Sequence, residues 1–135
     1  MPRMLFVNLP VADLDASVAF FTELGFTFNE QFTDEFATCM VVNDQACVML
    51  LVEKFYATFT DKQLIDARTH TEAILTVSAE SRSAVDTLVD QAVAAGGSVS
   101  RPVEGNGPMY GGAFADPDGH QWEVMYMDPA ALAQS

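Results

Sequence analysis

The sequence predicts an α+β fold built from paired βαβββ modules. Each half of the chain reads strand, helix, strand, strand, strand, and glycine follows the end of each predicted helix. A short polar turn also precedes the last strand of each half. We therefore expect one domain over residues 1–135, with modules at about residues 1–53 and 72–128 and a connector at about residues 54–71.

The first module is predicted to begin with a strand at residues 4–11 and a helix at residues 14–24. Asp13 suits the N-cap because its carboxylate can accept a hydrogen bond from the first turn, and Gly25 can end the helix. Three strands follow in the prediction, with a turn at Asn43-Asp44 between the last two, at residues 26–32, 36–42 and 46–52.

The connector mixes three aromatic residues with polar ones, and we expect a short helix at residues 61–68. The second module then repeats the pattern of the first. Its predicted helix ends at Gly96-Gly97, and a glycine-rich loop at residues 104–108 follows its second strand. The predicted elements are a strand at 73–78, a helix at 83–95, and strands at 98–103, 111–115 and 121–127.

Charge and cysteine content limit the classes of partner. The chain has 6 Lys and Arg against 19 Asp and Glu, a net charge of −13, so it offers no basic surface for nucleic acid or an anionic membrane. The start of the chain lacks signal-peptide features, and no apolar run is long enough to span a bilayer. Cys39 and Cys47 are interpreted as small buried hydrophobes rather than a disulfide or metal site, and a cytoplasmic location is expected.

The segment from Asp116 to Val124 carries the clearest chemical signal. A Pro-Asp-Gly turn leads into a strand whose alternation places Glu123 on a partly enclosed face, opposite a core face formed by Trp122, Val124 and Tyr126. An unpaired carboxylate there would be costly. Glu123 is therefore expected to be a ligand, a catalytic group or the partner of another residue.

Equivalent offsets in the two halves suggest how the modules correspond. Val11 and Val77 each close a first strand in this comparison, which makes Phe6 the counterpart of Glu72. The turns before the fourth strands align Asp44 with Asp118, which makes Met49 the counterpart of Glu123.

Residues 11–26 and 114–124 together resemble the vicinal oxygen chelate superfamily, which includes glyoxalase I, bleomycin-binding proteins and extradiol dioxygenases. The resemblance implies two modules that curl their sheets around a shared cavity, with a divalent metal held by the first and fourth strands. Carried over by position, the implied ligand positions are Phe6, Met49, Glu72 and Glu123. Phe6 and Met49 lack the oxygen or nitrogen donors that such a metal requires, so no cofactor is expected beyond a weakly held divalent metal at Glu72 and Glu123.

Two functions remain open at this stage. In one, the chain is a glyoxalase-type lyase or isomerase in which Glu72 and Glu123 share a proton and act as catalytic acid and base, with or without a metal. In the other, it is a metal-free protein that binds or sequesters a small molecule, and Glu72 and Glu123 are solvated in an open groove or paired with Arg101 or a backbone amide.

Both functions predict a small, largely apolar ligand in a mostly apolar bowl. Strand alternation predicts most of the lining residues. Two more, Met109 and Tyr110, come from the glycine-rich loop, where they would form a lid. The predicted lining residues are Phe6, Asn8, Met49, Ile74, Thr76, Met109, Tyr110, Gln121 and Met125. The resemblance also implies a homodimer.

Overall fold

The computed structural model describes residues 3–105 and 107–132, with side chains described as far as Ala130. The chain divides into two compact units, residues 1–65 and 66–135. The boundary between Ile65 and Asp66 falls inside the region predicted as the connector.

The first unit is a four-stranded mixed sheet with one helix of ten residues. The strand order is β1-β4-β3-β2, in which β1 and β4 are parallel and the other neighbours are antiparallel. The elements are β1 (Leu5–Val11), α1 (Leu14–Glu23), β2 (Thr27–Asn29), β3 (Ala37–Asn43) and β4 (Ala46–Val52).

Helix α1 begins at the predicted residue and ends at Glu23, one residue before the predicted end. The Ala16 N–H donates to Asp13 Oδ1 at 3.1 Å, which satisfies one free donor of the first turn. Gly25 follows the helix with a φ of 92°, a conformation that favours glycine. Phe20 and Phe21 are buried on the helix, and their rings meet edge to face at 4.9 Å.

The hairpin between β3 and β4 differs from the prediction. Its turn residues are Asp44 and Gln45, one position later than predicted, and Asn43 pairs with Ala46. A register shift between Val41 and Asn43 then leaves an extra residue on β3. The shift places Cys39 directly opposite Met49.

Two further predictions for the first half are wrong in extent or place. β2 ends at Asn29 because its side chain accepts a hydrogen bond from the Gln31 N–H at 3.0 Å and caps a 3-10 turn, Glu30–Phe32. The connector helix lies directly after β4, as α2 (Glu53–Tyr56) continued by a 3-10 turn. The predicted stretch at residues 61–68 has no helix.

The second unit repeats the arrangement, with strand order β5-β8-β7-β6. Val85 and Val89 of its long helix pack against Val124 to form a buried cluster. Within the described residues, no helix has both the length and the apolar character needed to cross a membrane. The elements are β5 (Ile74–Ser78), α3 (Arg82–Ala94), β6 (Ser98–Glu104), β7 (Met109–Ala115), β8 (Gln121–Met127) and α4 (Pro129–Leu132).

Alternation along β8 follows the prediction. Trp122 and Val124 are 1% and 0% exposed, and Tyr126 packs against the same cluster. Phe114 of β7 stacks on Trp122 with ring centroids 6.5 Å apart. The helix-facing side of this sheet is therefore filled by core residues, and Glu123 lies on the opposite face.

Candidate functional site

Glu123 is held by two side chains of its own sheet, Thr76 from the adjacent strand β5 and Arg101 from β6, which lies beyond β7. Arg101 Nη2 donates to Glu123 Oε2 at 2.5 Å, and Thr76 Oγ1 donates to Glu123 Oε1 at 3.1 Å. The Glu123 side chain is 19% exposed and that of Arg101 is 46% exposed. The ion pair and hydrogen bond offset the cost of enclosing the carboxylate, and a partner for Glu123 was one of the alternatives predicted from the sequence.

Glu72 is not brought to Glu123 in this arrangement. It is exposed and lies in a bend before β5 begins. Thr76 is the β5 residue that pairs with Glu123, and Glu72 is four positions earlier along the chain. At about 3.3 Å per residue, the Cα of Glu72 would lie about 13 Å along the strand from the position beside Glu123. The two carboxylates are therefore not cross-strand neighbours.

The helix caps and strand pairs correct the correspondence between the modules. Asp13 and Ser81 are the N-caps of the two long helices, so Val11 corresponds to Ala79 rather than to Val77. By the same offset, Phe6 corresponds to Ile74 rather than to Glu72. The first-strand equivalence predicted from the sequence is wrong by two residues.

The correspondence predicted for the fourth strands is supported by the register. Asn8 pairs with Met49, and its counterpart Thr76 pairs with Glu123.

The implied divalent metal does not fit the residues at these positions. With Ile74 in place of Glu72, only Glu123 among the four counterparts offers oxygen donors, and both of its oxygens already accept hydrogen bonds. Residues 3–105 and 107–132 contain no group of three or more His, Cys, Asp or Glu side chains placed to hold a metal ion. A tight divalent site needs three or four such donors.

Most of the predicted ligand-lining residues share one face of their own sheet. In the first unit, Phe6 pairs with Cys47 and Asn8 pairs with Met49, so all four point to the same side of the sheet. In the second unit, the strand pairings place five of the predicted residues on the same face of the sheet as Glu123. They are Ile74, Thr76, Met109, Gln121 and Met125. Phe6, Ile74 and Met109 are 52%, 58% and 49% exposed.

Tyr110 is the exception among the predicted lining residues. It pairs with Tyr126 on the helix side of the sheet, where its hydroxyl donates to Asp86 Oδ1 at 2.6 Å. This hydrogen bond raises the pKa of Tyr110, and the guanidinium of Arg82 lies 5.3 Å from its ring centroid. The lid prediction for Tyr110 is wrong because β7 begins at Met109, two residues earlier than predicted, and strand alternation turns Tyr110 inward.

Hydrogen bonds hold the end of the glycine-rich loop on the helix side of the sheet. Arg82 Nη2 donates to the Gly107 carbonyl at 2.6 Å, and the Asp128 N–H donates to the Pro108 carbonyl at 2.8 Å. The predicted loop also includes Asn106, which lies outside the described residues. These two bonds hold the end of the loop beside α3.

Asp116 organises the turn before β8, a role that the sequence reading missed. Its Oδ1 accepts from the N–H groups of Asp118 and His120, both at 3.0 Å, and its Oδ2 accepts from Trp122 Nε1 at 3.1 Å. Burial raises the pKa of this carboxyl, while His120 and the Trp122 hydrogen bond act in the opposite direction. An aspartate directly before a Pro-Asp-Gly turn and six residues before a tryptophan was the available signal.

A groove of about 400 Å³ lies beside this turn in the second unit. Its lining includes Arg68, Asp116 and Gln121. Arg68 Nε pairs with Asp66 Oδ1 at 3.1 Å, and the Asp116 oxygens are used within the turn. The charged side chains of the groove, Arg68 and Asp116, therefore already bond to other residues.

Comparisons with known proteins agree with this architecture. Residues 3–43 match a family model described as bleomycin resistance protein-like N-terminal. No curated protein sequence matches the chain.

Solved structures match it over nearly its whole length. A hypothetical protein from S. aureus is 26% identical, with a TM-score of 0.80 over 93% of this chain and 94% of that one. A glyoxalase-related enzyme from Fulvimarina pelagi is 23% identical, with a TM-score of 0.79 over 93% and 88%. A glyoxalase/bleomycin resistance protein/dioxygenase family enzyme from Burkholderia phytofirmans is 20% identical, with a TM-score of 0.76 over 93% and 99%.

The two mixed sheets and these matches define the class: an α+β protein of the glyoxalase and bleomycin-resistance type. The fold is that of glyoxalase and bleomycin-resistance proteins, in agreement with the resemblance to the vicinal oxygen chelate superfamily seen in the sequence.

Proposed function

We propose that this protein binds a small, largely apolar molecule without transforming it. The observation that carries the proposal is the pairing of Glu123 with Arg101 on a sheet face that presents the apolar residues Ile74, Met109 and Met125 beside the polar residues Thr76 and Gln121. Apolar surface around a few ordered polar groups is typical of small-molecule sites. The exposed fractions of Ile74 and Met109 are consistent with such a surface.

The alternative, a lyase or isomerase that uses paired carboxylates, has less support from the geometry. A catalytic acid and base must both lie within hydrogen-bond reach of the substrate. Glu72 stands outside β5, and both oxygens of Glu123 already accept hydrogen bonds from Arg101 and Thr76. Neither of these hydrogen bonds joins Glu72 to Glu123, so the contacts do not support a proton shared between the two glutamates.

The polar groups of the face also suggest what the ligand carries. A guanidinium has five N–H donors, and the Arg101 side chain is 46% exposed beside the carboxylate of Glu123. A ligand with a carbonyl or hydroxyl group on an apolar frame could bond to this pair while its frame covers Ile74 and Met109. The net charge of −13 further favours neutral or cationic ligands over anionic ones.

The test combines a binding screen with an activity assay. Purified protein, treated with a chelator, is screened by thermal shift against planar amphipathic molecules, and the hits are measured by calorimetry. The double variant Arg101→Met/Glu123→Gln removes both charges together, so neither is left unpaired. We expect it to weaken the best ligand about tenfold, which corresponds to about 1.4 kcal/mol.

Asp90→Asn, on the exposed side of α3, is the matched control and should bind as the unmodified protein does. Turnover of a hemithioacetal substrate that disappears in Glu72→Gln or Glu123→Gln would instead establish the lyase or isomerase. Equal affinity of the double variant and Asp90→Asn would move the binding site away from the Arg101–Glu123 pair.

We also propose that the protein forms a homodimer. Each sheet has an edge strand with exposed apolar side chains, Leu5 at 62% on β1 and Ile74 at 58% on β5. Exposed apolar edges favour association with another chain. Light scattering during size-exclusion chromatography should give twice the mass of 14.7 kDa, and a mass equal to one chain would contradict the proposal.

A further inference from the structure

Three sulfur-bearing side chains lie together on one face of the first sheet. Cys39 of β3 is directly opposite Met49 of β4, and Cys47 lies two residues before Met49 on the same strand. Directly opposed residues have Cβ atoms about 4.5–5.5 Å apart, and residues two apart on a strand share a face. We call Cys39, Cys47 and Met49 the sulfur cluster.

The two thiols of the sulfur cluster are buried, and the cross-strand neighbours of the cluster are Phe6 opposite Cys47, Asn8 opposite Met49 and Asn29 opposite Cys39. Cys39 and Cys47 are 2% and 7% exposed, and both are free thiols. Burial, together with a hydrogen bond and the charge interaction with Cys47, raises the pKa of Cys39 to about 11. The two thiols therefore contact each other, in addition to sharing a sheet face.

We propose that the sulfur cluster binds one soft metal ion of the Cu(I) class through the sulfur atoms of Cys39, Cys47 and Met49. Thiolate and thioether ligands select Cu(I) over hard divalent ions, which prefer oxygen and nitrogen. Phe6 pairs with Cys47 and extends the apolar surface beside the cluster. The sulfur cluster belongs to the first unit and the Arg101–Glu123 pair to the second.

Binding exchanges protons for the metal. Each thiol must lose its proton to become a thiolate ligand, so one Cu(I) displaces two protons while Met49 contributes a neutral thioether. The affinity should therefore rise with pH, by up to about hundredfold per pH unit when two protons are released.

The proposal is tested by competition under anaerobic, reducing conditions. Purified protein is titrated with Cu(I) held by bicinchoninate, and the metal withdrawn from the chelator is measured. We expect one Cu(I) per chain for the unmodified protein and loss of that binding in Cys39→Ser and in Cys47→Ser. Met49→Leu keeps side-chain volume but removes the thioether, and should lower affinity about tenfold or more.

Met40→Leu is the matched control. Met40 is next to Cys39 in sequence but pairs with Val48, so it lies on the other face of β3, where it is 0% exposed. It should bind Cu(I) as the unmodified protein does. An equal loss in Met40→Leu and Met49→Leu would overturn the role of Met49, and Cu(I) retained by the double variant Cys39→Ser/Cys47→Ser would overturn the site.

A spectroscopic measurement on the unmodified protein covers the case in which a cysteine variant fails to fold. X-ray absorption at the copper edge should show only sulfur neighbours around Cu(I). Nitrogen or oxygen neighbours, or failure to compete with bicinchoninate at any pH between 6 and 9, would reject the sulfur cluster as a metal site.

Discussion

Cys39 shows how the surroundings of a single residue set its chemistry. In water its thiol would ionise near pH 9.0, but burial and contact with Cys47 raise its pKa to about 11. A thiol with so high a pKa is a poor nucleophile at neutral pH, because only the thiolate reacts. The residue is therefore protected from ordinary alkylation, while a metal that binds sulfur strongly can still displace its proton.

The same shift predicts how stability changes in alkaline solution. The folded protein holds the Cys39 proton up to about pH 11, whereas the unfolded chain releases it near pH 9.0. Deprotonation therefore favours the unfolded chain, and the contribution of Cys39 to stability is complete below pH 9 and is lost as the pH rises to 11. Urea unfolding measured across this range should show the loss.

Cys39→Ala removes the ionising group and serves as the comparison. Its free energy of unfolding should be lower than that of the unmodified protein below pH 9, and it should decline less steeply between pH 9 and 11. Parallel declines in the two proteins would show that other groups account for the alkaline loss.

At the residue scale, the sequence correctly predicted the direction of side chains that depends only on strand alternation. Trp122 and Val124 lie in the core because β8 has the predicted bounds. Glu123 was expected to need a partner, with Arg101 among the candidates, and the ion pair fits the cost of enclosing a carboxylate. Tyr110 was misplaced because its direction depends on where β7 begins, which a glycine-rich sequence does not define.

At the scale of elements, the turn before β8 depends on Gly119. This glycine has a φ of 93°, and its N–H donates to the Asp116 carbonyl at 2.9 Å. A Cβ added to Gly119 would lie 2.7 Å from the backbone of Arg68. The turn therefore packs directly against the segment that leads into the second unit.

A comparison of Gly119→Ala with Gly96→Ala separates the effect of the positive φ of Gly119 from the effect of its close approach to Arg68. Both residues have positive φ, but a Cβ at Gly96 would meet nothing within 4 Å. Gly96→Ala should cost about 1 kcal/mol from backbone conformation alone. Gly119→Ala adds a backbone clash, so its loss should be clearly larger, about 2 kcal/mol or more.

Chemical denaturation of the two variants measures the difference. If the two substitutions lower the free energy of unfolding equally, the close approach of Gly119 to Arg68 does not contribute to stability.

The order of elements could be predicted from the sequence, while some of their bounds could not. Helix caps and glycine stops are local signals, so α1 begins at the predicted residue and ends within one residue of the predicted end. The connector helix was misplaced because its polar and aromatic mixture has no clear period, and the actual helix forms where β4 ends. The correspondence of the first strands failed because the Val11–Val77 match ignored the caps at Asp13 and Ser81.

At the scale of the whole molecule, the excess of acidic residues dominates the electrostatics. The described residues include the ion pairs Arg68–Asp66 and Arg101–Glu123, but the chain has 19 Asp and Glu against 6 Lys and Arg, a net charge of −13. Most of the negative charge therefore repels itself across the surface. This repulsion opposes the compact state and is screened by salt.

Raising the salt concentration should stabilise the protein at neutral pH. Between about 0.01 M and 0.1 M NaCl the screening length falls from about 30 Å to about 10 Å, so repulsion between distant carboxylates weakens. The urea midpoint should rise over this range at pH 7. Near pH 4.1, the isoelectric point, the same change of salt should have little effect, and an equal rise there would point to a cause other than charge.

The irregular residue in the β3–β4 hairpin has a consequence for how this chain can vary in length. Side chains alternate between the two faces of a sheet, so adding or deleting one residue near Val42 would reverse the facing of every β3 residue before it. Met40, now in the core, would exchange sides with Cys39. Tolerated length changes here should therefore come in pairs of residues, or as one residue offset by another within the same hairpin.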